Sequence, residues 1–418
     1  MLAPYNLTRR GLLAGSGALL TWAQVPRLAR AEARDPRFLV IVLRGALDGL
    51  AIVAPVGDPH WRELRGEEAL TLDGPSPGLR LDGMFALNPA MPMLHELYRH
   101  GFATIVHAVA TPYRDRSHFD GQDVLQTGTI KPGALDTGWL NRAAESLTPH
   151  LSAGPCGKAA LAIGPVTPLI LRGPAPVLSW QAPKLPPVSD ETTLRLIDLY
   201  RHTDPVFARV LEERAGLAVI AHTSGIDQQP AKGGSSGETA APALAQVRAY
   251  FAEAAGTAAK FLARADGPRV AALAFDGWDT HVNEGPVKGR LSNLLAALDD
   301  ALAAIAANIG EAWRDTVVVA ITEFGRTAHI NGSGGTDHGT ATVALLAGGA
   351  LKGGRVIADW PGLKDADLYE NRDLKPTTDL RAVMKGLLGD HMRLSDSRLA
   401  TTVFPDSAAV QPVRDLVA

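Results

Sequence analysis

The sequence predicts an α/β protein: a doubly wound, mostly parallel sheet with helices on both faces. Three observations predict it. Short runs that are apolar throughout, such as residues 38–43 (FLVIVL) and 317–321 (VVVAI), read as strands buried on both faces rather than one. Longer segments with helical periodicity alternate with them. Polar loops rich in Asp, His, Arg and Ser follow the strands, at the end where open parallel sheets gather their ligands.

In chain order, residues 38–43 are the first strand. Asn88 and Pro89 open a helix, Asn as its cap and Pro in its first position, and Gly101 ends it. Residues 102–107 form the next strand, and residues 118–127 a helix entered from Ser117. The Pro-rich run 165–187 reads as irregular. Residues 190–214 and 243–264 are helical by periodicity. Between them, 223–242 is polar and rich in Gly and Ser, a flexible surface loop. A strand over 269–275, a helix over 290–309 and strands over 316–322 and 342–346 follow. Thr378-Asp379 begins a last helix through Leu388. No internal repeat is present, so residues 38–415 read as a single domain.

A chain of 418 residues with 46% hydrophobic and 20% charged residues has the composition of a folded protein, which excludes wholesale disorder. A formal charge of −3 carries no nucleic-acid footprint. Thr8-Arg9-Arg10-Gly11-Leu12-Leu13 resembles a twin-arginine export signal. A Gly-broken apolar stretch follows, and Ala29-Arg30-Ala31 fits cleavage between small residues. Residues 1–31 are therefore expected to be removed during export, by the twin-arginine machinery, to the periplasm or beyond. Removal leaves 37 basic residues against 44 acidic ones, a charge of −7. Cys156 is the sole cysteine, so no disulfide forms within the chain.

Four segments at strand ends carry the chemistry: 44–49 (RGALDG), 114–120 (RDRSHFD), 276–281 (DGWDTH) and 323–338. Asp276, Asp279 and His281 supply oxygen and imidazole ligands suited to zinc or manganese, or else an Asx turn beside a satisfied histidine. His338 lies in the Gly-rich GGTDHG, with Asp337 placed to orient its ring and Glu323 and Arg326 nearby. Ser117 caps a helix or, among Arg114 and Arg116, acts as a nucleophile. Arg44 and Arg326 hold an anion in bidentate fashion, or pair with Asp48 and Glu323. No G-x-S-x-G elbow, phosphate-binding loop or dinucleotide fingerprint is present.

Taken together, the export signal, LRGALDGL, RSHFDGQD, FDGWDTH, TEFGRT and GGTDHGTA resemble the exported bacterial domain-of-unknown-function 1501 family, from about residue 38 to 390. That family is similar in fold to the alkaline phosphatase and sulfatase superfamily. The resemblance implies an α/β core with a hydroxyl or thiol nucleophile and metal at the sheet's carboxyl edge. By position, Ser117 lies near the nucleophile, ahead of a helix ending in Thr127-Gly128. Asp276 or Asp279 with His281 resembles a metal-binding Asp-x-x-x-His element, though neither spacing fits. His338 resembles the last metal histidine. Arg44 stands where the first metal aspartate belongs, with Asp48 four residues on, and Glu323-Phe324 where an Asp-His pair belongs. What remains suffices for one divalent metal (zinc, manganese or calcium) held by His281, His338 and one of Asp276, Asp279 or Glu323. The resemblance therefore implies an exported hydrolase of anionic small-molecule or glycan esters, phosphate or sulfate, with Ser117 attacking and Arg44 or Arg326 clamping the anion. The rival is an accessory protein, with an unknown partner, that keeps the fold and not the chemistry.

Overall fold

Strand β1 (Arg37–Arg44) shows why the sheet forms: Leu39, Ile41 and Leu43 face one apolar core and Phe38, Val40 and Val42 the other. A strand with no polar face must be covered on both sides. The structure is a computed structural model that describes residues 34–147, 160–164, 166–181, 196–197, 199–201, 203–212 and 240–418. Everything below refers to the compact unit Pro36–Ala418. The export segment, Cys156, most of the 223–242 loop and parts of the 190–214 helix lie outside the described residues.

The other strands of the main sheet are β2 (Ala103–Ala110), β3 (Ala160–Ile163), β4 (Val177–Trp180), β5 (Val270–Asp276), β6 (Thr316–Ile321), β7 (Thr342–Ala347), β8 (Arg355–Ile357) and β9 (Thr378–Asp379). Their order is β8-β2-β7-β6-β1-β5-β3-β4, with β9 also on β2. Every pairing is parallel except the two made by β7, which runs antiparallel between β2 and β6. The parallel strands therefore end at one edge, and β7 begins there. Arg44 pairs with Asp276, and Val42 with Ile321, so β1, β5 and β6 end nearly level.

Helices cover both faces. Helices α1 (Pro92–Arg99), α4 (Ala240–Ala263) and α5 (Arg290–Asn308) pack on the side of Leu39, Ile41 and Leu43. Helices α2 (His118–Thr127), α3 (Trp139–Leu147) and α6 (Leu380–Asp390) pack on the other. The sheet is mostly parallel and doubly covered, as the apolar runs predict. A small antiparallel sheet of Val53–Ala54, Leu79–Arg80 and Ala86–Leu87, strands β3 and β4, and the 3₁₀ turn Leu169–Leu171 lie in stretches too short or too Pro-rich for periodicity to show. Part of the run expected to be irregular is thus a strand.

The first helix also begins later than its sequence signals. Asn88 donates to the carbonyls of Ala51 and Pro286 and accepts from Ala90, so it pins a turn. Pro92 takes the first helical position, and the side chain of Met91 offers no cap. Instead, Asp299 of α5 accepts from the Met93 and Leu94 N–H groups at 2.8 and 2.9 Å. A cap from 205 residues away is invisible to local patterning.

Burial pushes the Asp299 carboxyl up from 3.8 to about 7, and the two N–H donors only partly oppose this. The folded state then holds the proton to higher pH than the unfolded chain. This contribution is fully present below about pH 4 and is lost as pH rises through 7. Asp299→Asn keeps an acceptor without the charge. In urea unfolding at pH 5 and pH 8, the wild type is expected to lose on the order of a few kcal/mol more than Asp299→Asn over that interval.

Candidate metal centre

Two buried side chains frame the sheet edge. Glu323, just past β6 and with no exposed surface, accepts from the Gly45 and Ala46 N–H groups at 2.9 and 3.2 Å, the Thr322 hydroxyl at 2.9 Å and His118 Nδ1 at 2.8 Å. Arg326 is also fully buried. It donates to the carbonyls of Ala46, Gly45, Trp278 and Thr336 and, at 2.5 Å, to Asp279. One carboxylate and one guanidinium thus join the loops after β1, β5 and β6. Gly45 lets those loops meet: its φ is +120° and a Cβ there would lie 2.6 Å from Asp279 N. The last loop folds back through an antiparallel bridge between Arg326 and His338, which brings His338 to the start of β7.

Inside this frame, side-chain atoms of His118, Asp279 and His338 lie within 4.8 Å of one another, a group with the donors to hold a metal ion. His118 Nε2 is buried without a hydrogen-bond partner, 3.5 Å from Asp279 Oδ2. His338 Nε2 lies 3.4 Å from Asp279 Oδ1. His281 stands beside them, its Nε2 2.9 Å from His338 Nε2 and 3.1 Å from Asp279 Oδ1. Two ring nitrogens at that separation share one proton or one cation.

Each ring is held from behind through its other nitrogen. His118 Nδ1 bonds Glu323, His338 Nδ1 donates to the Arg116 carbonyl at 2.9 Å, and His281 Nδ1 meets Asp337 at 3.3 Å. That outer bond fixes the tautomer and leaves the inner nitrogen as a donor of electrons, the arrangement of metal-binding histidines. Electrostatics differ ring by ring. The hydrogen bond to Glu323 pulls His118 up, against its burial. Burial pushes His338 down, and the charges of His118 and Arg326 add to this. Burial would raise Asp279, but the hydrogen bond and charge of Arg326, with His281 and His118, hold it below the usual carboxylate range.

The structure brings together Asp279, His281 and His338 of the residues singled out in the sequence, and adds His118. Asp276 stands apart, exposed and 3.8 Å from Arg44. Glu323 holds His118 rather than joining the inner atoms. Ser117 is the N-cap of α2, its hydroxyl 3.5 Å from Asp120 N, between Arg116, which anchors His338, and His118. Neither arginine has the salt-bridge partner expected of it: Arg44 pairs with Asp276, and Arg326 with Asp279. Arg326 spends its guanidinium on the protein's own oxygens, so it positions Asp279 and is not placed to clamp an anion. His118 was legible in RSHFD, but Ser117 beside it carries the stronger local signal, a cap. Nothing local says that its ring reaches across to Asp279.

Phe324 fills the neighbouring space. Its ring stacks on His118 at 5.1 Å between centroids and lies 5.3 Å from His338. It packs so close to α2 that a Cβ on Gly121 would lie 2.9 Å from it.

A family described as protein of unknown function (DUF1501) matches residues 98–404, and the chain belongs to it. No curated protein matches the sequence. Among solved structures, the chain is similar to Ps i-CgsB in complex with k-i-k-neocarrahexaose (TM-score 0.42, 10% identity, 90% of this chain and 77% of that one). It is similar also to the PsFucS1 sulfatase from Pseudoalteromonas sp. (0.39, 12% identity, 99% and 77%). A third is the phosphonate monoester hydrolase of Agrobacterium radiobacter (0.33, 14% identity, 84% and 73%). Likenesses this distant leave the chemistry to be read from the site.

Proposed function

From membership of this family of unknown function, and from the three histidines gathered on Asp279, we propose that the chain is an exported hydrolase of phosphate or sulfate esters that binds one divalent metal. The observation that carries the reading is that all three rings turn Nε2 toward Asp279 while Nδ1 is held by a carboxylate or a carbonyl. His118, Asp279 and His338 would hold the ion, with His281 alongside. An imidazole-rich set with one carboxylate suits zinc first, then manganese, and calcium least. Phe324 supports one ion rather than two, because an apolar ring occupies the ground beside His118 and His338. When bound, such an ion supplies positive charge to an ester's non-bridging oxygen.

The chain's own residues do the rest. Ser117 presents its hydroxyl at the N-terminus of α2, where the first N–H groups favour an anion. Its capping bond is long, at 3.5 Å, which leaves the oxygen available for attack. Arg44 keeps part of its guanidinium exposed and makes only a 3.8 Å contact to Asp276, so it is free to take an ester anion.

Elemental analysis of the purified protein, with a panel of phosphate and sulfate esters, tests this. About one ion per chain is expected, with ester turnover that a chelator and Ser117→Ala both abolish. Glu323→Gln should weaken metal affinity about 10- to 100-fold, because it loosens the His118 ring without removing a ligand. Metal retained without turnover of any ester would leave a metal-binding accessory protein. No metal would remove the hydrolase reading and leave an accessory protein that keeps the fold and not the chemistry.

A further inference from the structure

The edge around the histidines carries an unpartnered aromatic ring. Phe119, next to His118 in the first turn of α2, is 91% exposed, more than any other large apolar side chain among the described residues. Val282, next to His281, is 55% exposed. His118 and His281 both face Asp279, at 3.5 and 3.1 Å. Two exposed apolar groups therefore stand one residue from two of the rings. The first turn of a helix favours an acidic or polar residue, and a bare Phe there gains nothing from the helix. Single exposed apolar side chains are ordinary on protein surfaces. Here each is the sequence neighbour of a ring that faces Asp279, and small-molecule sites combine apolar surface with a few placed polar groups.

We propose that Phe119 is a specificity-determining residue: it stacks on a ring in the alcohol part of the ester, so that ring-bearing esters bind in preference to small aliphatic ones. The inference rests on the ester reading of the same site. It adds that the flat face of an aryl or pyranose ring is recognised while the anionic group sits among the histidines. An aromatic ring offers such a face a large contact at little conformational cost, through offset stacking for an aryl group and C–H contacts for a sugar.

The test is calorimetric titration of the zinc-loaded full chain with three anions: methylphosphonate, phenylphosphonate and glucose 6-sulfate. The wild type is expected to bind at least one of the ring-bearing probes roughly tenfold more tightly than methylphosphonate. Phe119→Ala should lose that preference while keeping its zinc and its affinity for methylphosphonate, and Phe119→Trp should restore it. Preference for phenylphosphonate alone identifies an aryl alcohol, and preference for glucose 6-sulfate alone a sugar. Equal affinities in the wild type, or a ring preference that survives Phe119→Ala, overturns the proposal and leaves the hydrolase reading standing. No binding of any of the three anions removes both.

Discussion

His118→Ala and His338→Ala are each expected to reduce bound zinc from about one ion per chain to a trace, while His281→Ala keeps most of it. The difference follows from placement. His118 and His338 are the less exposed rings, and their nitrogens lie within 4.8 Å of each other and of Asp279, whereas His281 also reaches Asp279 and His338 but is more exposed to solvent. Metal content by elemental analysis after dialysis reads the first effect. Thermal unfolding with and without zinc reads the second. An ion that binds only the folded chain stabilises it by about 2.7 kcal/mol at a hundred times its dissociation constant, so the wild-type midpoint should climb with zinc and those of His118→Ala and His338→Ala should not. Loss of metal on removing His281 with retention on removing His118 would return the site to the pair of histidines that the sequence suggests first.

Arg65→Met is expected to destabilise the fold by roughly 3–5 kcal/mol in denaturant unfolding. Asp48 and Arg65 form a two-pronged ion pair at 2.5 and 3.1 Å, and neither side chain has more than 1% of its surface exposed. Asp48 also caps the short helix Gly49–Ile52 through the Leu50 and Ala51 N–H groups, and Arg65 donates to the Thr327 carbonyl. Without Arg65, a buried carboxylate is left with no countercharge, close enough to Glu284 that burial and the Asp48 charge already raise that group to about 8. Adding Asp48→Asn to Arg65→Met should recover part of the loss, since the amide keeps the capping bonds and carries no charge. A double variant no more stable than Arg65→Met alone would show that packing of the guanidinium, which also lies over the Trp61 ring at 5.5 Å, dominates instead.

The strands that mattered most were legible because their apolar runs have no polar alternation, and burial on both faces leaves no other pattern. Helix α2 was legible at both ends, from Ser117 as cap to Gly128 at φ +71°. The antiparallel course of β7 was not. Residues 342–346 read equally well in either direction, and only the short return of the 323–341 loop, closed by the Arg326–His338 bridge, fixes it.

By itself, then, the sequence determined the layered architecture and the four polar loops, since these depend on local composition and period. The tertiary structure decided which residues meet. Asp276 and Asp279 are three residues apart and chemically alike, yet one is exposed beside Arg44 and the other is held by Arg326 among the histidines. His118 enters the group because α2 packs against the end of β6, where Glu323 fixes its ring. Arg326 is taken out of service as an anion clamp by carbonyls contributed from three separate loops. Each of these outcomes is set by contacts spanning ten to 281 residues of chain, and no local pattern encodes a distance of that kind.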